Sequence, residues 1–371
     1  MNRSRIKAAL AYETPDTLPC HETPWEQTLA AWRTQGLPGD VSLEDHFGFD
    51  LSFMFLDTSP RFGQKILKRN GGMITYEDRF GYTLKKAEGI SSTIDFVEHR
   101  TANKKTWETI KPRFVLSDDR AEPARIDDAM YFGHFAPYPT WSDARGKYER
   151  IYGQGRYMLF MVYGPWEATW RHRGMENLLL DTATDPDWVR EMADTYQELV
   201  INVLERCLDE GMKPDGIFAA DDLGMTTAPL ISPRSWRRLF KPAVRRLGSF
   251  LREKEIDFWM HSDGAIIELI DDLLDCGVRV LNPLEVKAGM DAVALRKRYG
   301  KNLSFFGNID AAKMSGPQSV IGEELERKIP LARDGGFIMH SDHSCPPDVS
   351  FERYAWILQR AREIFGRTTR S

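Results

Sequence analysis

The chain is poor in cysteine: it has four in 371 residues, at positions 20, 207, 276 and 345, and no CxxC pair. That spacing argues against a disulfide framework and for a reducing compartment. Long apolar runs are also missing. None approaches the ~20 residues needed to cross a bilayer, and the basic, then apolar stretch 1–12 meets Glu13 and Asp16 before any signal core forms. There is no excess of positive charge either: the net charge is -5 and the pI about 6.0, which gives no reason to expect nucleic acid. Arg237-Arg238 and Arg245-Arg246 recur at helical spacing among apolar residues, as a solvated helix face does. Glycine-rich phosphate turns are absent, with neither GxGxxG nor a P-loop after any strand pattern, and this disfavours an open nucleotide-binding sheet. Internal repeats and low-complexity tracts are not evident. These absences describe a cytoplasmic protein with no membrane or nucleic-acid partner.

What is present is a rhythm. The composition is 42% hydrophobic, enough for a large core, and α/β barrels of this length fold as one domain. From Tyr157 onward, short apolar runs end in polar residues. Tyr157–Tyr163 leads to Gly164-Pro165-Trp166-Glu167, Gly216–Ala220 to Asp221-Asp222, and Asp257–Met260 to His261. Arg279–Leu281 leads to Asn282-Pro283-Leu284-Glu285, Leu303–Phe306 to Gly307-Asn308-Ile309-Asp310, and Gly336–Met339 to His340. Helical patterns separate them; the clearest follows Ser232-Pro233, with serine at the N-cap and proline at N1. Weaker strand patterns lie at Thr17–His21 and Phe53–Asp57. Strand–helix alternation with polar residues at each strand's C-terminal end implies a (β/α)8 TIM barrel with its site on that face. The expected domain is single, 1–371. Between Gly72 and Arg100, alternating Ile74, Tyr76, Phe80, Tyr82 and Leu84 suggest β-hairpins, an N-terminal excursion of about 58–150 laid over the barrel. Lys104 to about Asp128 reads as helix.

The residues able to carry chemistry sit at those strand ends. His261 and Asp263 are two apart on an extended backbone, so they project together. They form either a metal-binding pair or a plain imidazole–carboxylate hydrogen bond. Near the C-terminus, His340 and Asp342 share one face and His343 the other, and register alone does not choose between them. Asp221 and Asp222 line the pocket or cap the next helix. Glu167, after an apolar strand, is a candidate general acid or the ion-pair partner of Arg171 or Arg173. Trp166 is a substrate contact or core.

Taken together, Gly164–Glu167, Ala220–Gly224, Met260–Gly264, Asn282–Glu285, Gly307–Asp310 and Ser341-Asp342-His343 with Pro346-Pro347-Asp348 resemble the uroporphyrinogen decarboxylase superfamily. The likeness is strongest to its cobamide-linked methyltransferase branch, and the superfamily's fold is a TIM barrel. The resemblance implies zinc held by a His-x-Cys pair and a cysteine from the last strand. Laid over this chain, those positions are His261, Asp263 and His343, so two thiolates have become a carboxylate and an imidazole, both competent for zinc. Such a set favours harder donors and an oxygen in the open position. The resemblance further implies a methyl group passed between a small substrate and a corrinoid. No Asp-x-His-x-x-Gly corrinoid motif occurs, so the corrinoid must be carried by a separate protein.

On this reading Glu167, Asp222 and His343 are catalytic, while Asp57, Trp166, Asp221, Glu285 and Asn308 contact substrate. Asp57 corresponds loosely to the decarboxylases' central aspartate. Their basic N-terminal loop is replaced here by Cys20-His21-Glu22-Thr23, and a multiply anionic tetrapyrrole needs cations to offset its desolvation. The alternatives are a metal-free decarboxylase acting on a carboxylated substrate, or a non-catalytic tetrapyrrole- or corrinoid-binding protein. A homodimer is the expected assembly.

Overall fold

The structure is a computed structural model describing residues 2–89, 94–117, 119, 121–127 and 137–367. Its strands are β1 (Leu51–Leu56), β2 (Lys65–Asn70), β3 (Met73–Glu77), β4 (Tyr82–Ala87), β5 (Asp95–His99), β6 (Ile126–Asp127), β7 (Tyr157–Tyr163), β8 (Gly216–Ala220), β9 (Asp257–Ser262), β10 (Val280–Pro283), β11 (Ser304–Ile309) and β12 (Phe337–Ser341). The main sheet runs β12-β11-β10-β9-β8-β7-β1-β6 and is parallel throughout except for β6 against β1. Pro19–His21 lies beyond β12. His21 N–H donates to Met339 O at 3.0 Å, and Cys20 O accepts from Asp50 N–H at 3.0 Å, one residue before β1. The expected strand at 17–21 is therefore reduced to a single bridging residue, Cys20, between the two ends of the parallel set.

The strands are apolar on both faces because helices cover one and the other packs on the concave side of the curled sheet. Alternate residues Leu51, Tyr157, Leu159, Phe218, Trp259, Val280, Phe306 and Ile338 point inward and pack as one cluster with Ile6 and Leu10 of helix Asn2–Leu10. That helix packs against β7 and β12 on the concave side of the sheet. Each large side chain buried there contributes roughly 1.5–3 kcal/mol. The opposite faces join the main core with the crossover helices, such as Pro186–Asp209 and Lys241–Glu253. Ser232 caps the next helix as its sequence implies, its Oγ accepting Ser235 N–H at 3.2 Å. That helix stops at Leu239 and a second begins at Lys241, because Pro242 occupies a first-turn position where no N–H is needed.

Strands β2 to β5 form a separate antiparallel sheet. Ile74, Tyr76, Phe80, Tyr82 and Leu84 turn inward and join the main core, as their period-two pattern requires. The long helix expected from Lys104 to about Asp128 is instead a helix ending at Ile110 and a short 3-10 turn over Lys111–Phe114. Pro112 removes a donor there, and the chain returns as β6. Among the described residues no helix is long and apolar enough to cross a membrane. All four cysteines are free and buried.

Candidate metal centre at the strand ends

The inward alternation runs on past the apolar layer. Phe218 is followed two and four residues later by Ala220 and Asp222, and Trp259 by His261 and Asp263. Asp222, His261 and Asp263 thus converge, with one donor atom from each lying within 4.8 Å of the others; among the described residues this is the one such set of three or more histidine, cysteine or carboxylate groups. His261 Nε2 is 3.4 Å from Asp222 Oδ1 and 3.9 Å from Asp263 Oδ1. Donors on one tetrahedral zinc sit about 3.3 Å apart, given bonds of ~2.0 Å.

Three features of the chain hold this set. His261 Nδ1 lies 2.7 Å from Asn282 Oδ1, and the Asn282 amide donates to Phe306 O at 2.7 Å, which fixes the amide's orientation. The acceptor oxygen makes Nδ1 the donor and aims Nε2 at the carboxylates. The loops after β8 and β9 are also zipped together. Asp263 N–H donates to Asp222 Oδ1 at 3.1 Å and Ala265 N–H to Met225 O at 2.7 Å. A Cβ on Gly264, whose φ is +80°, would sit 2.4 Å from Gly224 C. Finally, Glu285 accepts Gly264 N–H at 2.8 Å and pairs with Lys287 at 2.8 Å.

Charge follows geometry. Burial disfavours an imidazolium at His261, but the Asp222 hydrogen bond and the Asp263 and Asp222 charges outweigh it and raise the ring to about 10. Burial likewise works against ionised Asp222, yet the His261 hydrogen bond and charge hold it below the usual carboxylate range. Burial raises Asp263. Asp263 Oδ1 is buried and has no hydrogen-bond partner among the described residues. A cation bound there would satisfy that oxygen and favour the ionised carboxylate that burial disfavours.

The other sequence-derived residues lie elsewhere. His343 stands beside the set: its Nδ1 is 3.9 Å from Asp263 Oδ2, its side chain is half-exposed, and its ring leans on Trp25. Asp222 takes the third position in the cluster that the sequence reading gave to His343. Asp342 is committed to the backbone, accepting Val286 N–H and Ala311 N–H, each at 2.8 Å. Glu167 is buried and holds Arg171 at 2.5 Å and the Trp170 indole at 2.9 Å. Burial raises its pKa in spite of Arg171. Asp221 is wholly buried and accepts Glu167 N–H at 2.8 Å, capping helix Pro165–Arg173; a Cβ on Gly164 would collide with it at 2.2 Å.

Asp57 is buried beneath Arg61 (2.6 Å), Ser59 (2.6 Å) and Arg79 (3.5 Å). Asn308 donates to Leu284 O and Met290 O and accepts Ala292 N–H. Trp166 is core, edge-on to Phe240. The sequence reading assigns these three, with Asp221 and Glu285, contacts to substrate; the oxygens of Asp57, the amide of Asn308 and the carboxylate of Glu285 are instead engaged with the protein itself, while Asp221 Oδ2 and Trp166 Nε1 are buried without a hydrogen-bond partner among the described residues. The sequence motif Asn282–Glu285 does not by itself assign Asn282 a role. Its place two residues after inward-facing Val280 was the available signal.

The sequence model of the family described as Uroporphyrinogen decarboxylase (URO-D) matches residues 157–364, more than half of the chain. The chain belongs to the uroporphyrinogen decarboxylase family. Among solved structures, this family member resembles a methyltransferase from Methanosarcina mazei at TM-score 0.63 and 15% identity, covering 98% of each chain. It also matches a candidate vitamin-B12-independent methionine synthase of Listeria monocytogenes at TM-score 0.46 and 11% identity, over 95% of this chain and 100% of that one. No curated protein matches the sequence. At such identities the likeness speaks for the fold alone.

Proposed function

We propose that this uroporphyrinogen decarboxylase family member is a zinc-dependent methyltransferase that passes a methyl group between a small substrate and a corrinoid held by a separate protein. One observation carries the reading: Asp222, His261 and Asp263 converge at the C-terminal ends of parallel strands, and Asp263 Oδ1, 3.9 Å from His261 Nε2, is buried without a hydrogen-bond partner among the described residues. The resemblance to the methyltransferase branch supports it. In this reading Pro19–His21 serves as the eighth stave of a closed barrel, and 1–371 is one domain.

Asp222 Oδ1, His261 Nε2 and Asp263 Oδ1 are the donors that would hold zinc. Two carboxylates and one imidazole, which would give up its Nε2 proton on ligating, bring the charge of a divalent ion near zero, lower than a His-Asp-His set would. The donors nonetheless remain hard, so oxygen ligands are still favoured. Bound there, zinc would polarise the heteroatom that gains or loses the methyl. Asn282 orients His261, and Glu285 with the Gly224–Gly264 contact holds Asp263 in place. As the heteroatom loses its methyl it must gain a proton. His343, half-exposed beside Asp263, is the group placed to exchange one with solvent. Glu167 is clamped by Arg171 and Trp170 and serves to support the wall. A decarboxylase reading gains nothing from Asp57, whose oxygens already hold arginine and serine.

The test is metal analysis of the purified protein beside His261→Ala, followed by methyl transfer from methoxylated or methylamine-type compounds to added corrinoid protein. About one zinc per chain, lost in the variant, is the expected result. Protein without metal after zinc reconstitution overturns the reading.

A further inference from the structure

The seven parallel strands bury nearly every side chain they carry. The exceptions are Asp257, at the N-terminal start of β9, and Phe53, Phe55, Met161 and His261 nearer the other end. The last four are partly exposed, and all face the concave side. Phe53 and Met161 pack on the inward cluster, Phe55 stands two residues beyond Phe53, and His261 two beyond Trp259. Helices close the other side of the sheet, so the open surface of these side chains borders a recess on the concave one. Register gathers them into a patch: Phe55 pairs with Met161, Met161 with Phe218, and Ala220 with His261. At the level of His261, β8 contributes only the methyl group of Ala220 to that side.

We propose that Phe53, Phe55 and Met161 form the specificity wall of the site, seating the apolar remainder of an uncharged aryl methyl ether whose oxygen faces Asp222, His261 and Asp263. The two ends of the open surface differ in chemistry. On β8 and β9 it is polar, with the side chains of Asp222, His261 and Asp263 exposed by 44%, 22% and 30%. On β1 and β7 it is wholly apolar. Covering such a wall gains roughly tenfold in affinity for each ~50 Å² removed from water. Two phenyl rings and a thioether suit an aromatic group better than an aliphatic one.

Charge on the remainder is disfavoured. Arg171, at the end of β7, is 2% exposed; its guanidinium lies 4.1 Å from the Tyr163 ring centroid and holds Glu167. It offers no counter-charge to a carboxylate on the wall, and the desolvation of that carboxylate would go uncompensated. A quaternary ammonium has no lone pair to present to a metal. The wall deepens the proposed function by naming the substrate class, and rests on that reading only for what the ether oxygen meets.

Ligand-detected NMR titration of the full chain with anisole, methanol, 4-methoxybenzoate and phenyltrimethylammonium tests it, on zinc-loaded and chelator-stripped protein. On the loaded protein anisole should bind about tenfold more tightly than each of the other three, or better. Met161→Gln keeps the side-chain length and makes the wall polar; anisole should weaken about tenfold, with zinc content unchanged. Cobalt(II) in place of zinc should broaden the methoxy protons of anisole more than its para proton. The ligand comparison and the cobalt measurement need no variant, so they stand if Met161→Gln fails to fold. Anisole that fails to bind, binds no better than methanol or either charged ring, or keeps its affinity in the folded variant overturns the wall. Broadening strongest at the para proton does so too. Each of those results on protein that holds zinc leaves the metal centre intact. Anisole preferred by a protein that takes up neither metal supports the wall and overturns the methyl-transfer reading.

Discussion

Asn282 holds His261 by one bond and itself by another: its Oδ1 lies 2.7 Å from the imidazole Nδ1, while its amide donates to Phe306 O at 2.7 Å. The residue touches neither carboxylate, yet it decides which ring nitrogen faces them. Loss of such an orienting partner typically weakens metal binding by 10–100-fold. Asn282→Leu should therefore lower zinc affinity by about that factor, read by competition with a chromogenic chelator. Zinc affinity equal to wild type would remove Asn282 from the centre.

Gly264 and Gly224 let two ligand-bearing loops touch backbone to backbone. A methyl group on Gly264 meets Gly224 C at 2.4 Å and must adopt a φ of +80°. Neither strain is relieved by a side-chain shift. Gly264→Ala should separate Asp263 from Asp222, costing about 1–3 kcal/mol of stability and most of the zinc affinity. A thermal-unfolding and metal-content pair of measurements checks this. A variant with normal metal content would show that the loops are not coupled.

The pairing of His261 with Asp263 was legible because a strand's period of two is rigid: both follow Trp259 inward. The strand cores and the β3–β4 alternation were legible for the same reason. What lies in loops was not. Asp342 and His343 follow the last residue of β12, and two backbone N–H groups, on Val286 and Ala311, capture Asp342. Those donors come from distant segments that no local pattern encodes. Asn308 and Glu285 likewise read as pocket residues at strand ends, but they satisfy backbone groups of neighbouring loops.

His172 sets an acid limit on stability. Its ring is wholly buried, parallel to Trp107 at 5.4 Å and 2.9 Å from Thr101 Oγ1. Burial, then His99 and Arg173, push it down to about 3 from the ordinary 6.5. Between those values the unfolded chain binds a proton that the folded chain refuses. The stabilisation is therefore full above about pH 6.5 and falls as pH drops toward 3, by about 5 kcal/mol in all. His172→Phe should be less stable at pH 7, with Thr101 Oγ1 unpartnered, but its melting temperature should fall less steeply between pH 6.5 and 5. A pH slope identical to wild type would assign the acid sensitivity to other buried histidines, such as His21.

Asp221 offers the converse case, a carboxyl whose neutral form the fold prefers. Burial raises it well above the ordinary value, against the stabilising Glu167 N–H bond, and Glu167 and Asp222 add like charge. For an acid raised on folding, stability is greatest at low pH and declines as the folded group is forced to ionise. An amide can keep the bond to Glu167 N–H and never ionises. Asp221→Asn should thus lie within about 1 kcal/mol of wild type near neutrality and gain relative to it at higher pH. Asp221→Ala leaves the first turn of helix Pro165–Arg173 uncapped and should lose about 1–2 kcal/mol. Unfolding curves of both variants at pH 6 and pH 9 decide the matter. If asparagine is as damaging as alanine at both, ionised Asp221 is needed, and the carboxylate belongs to the polar site rather than to the helix start.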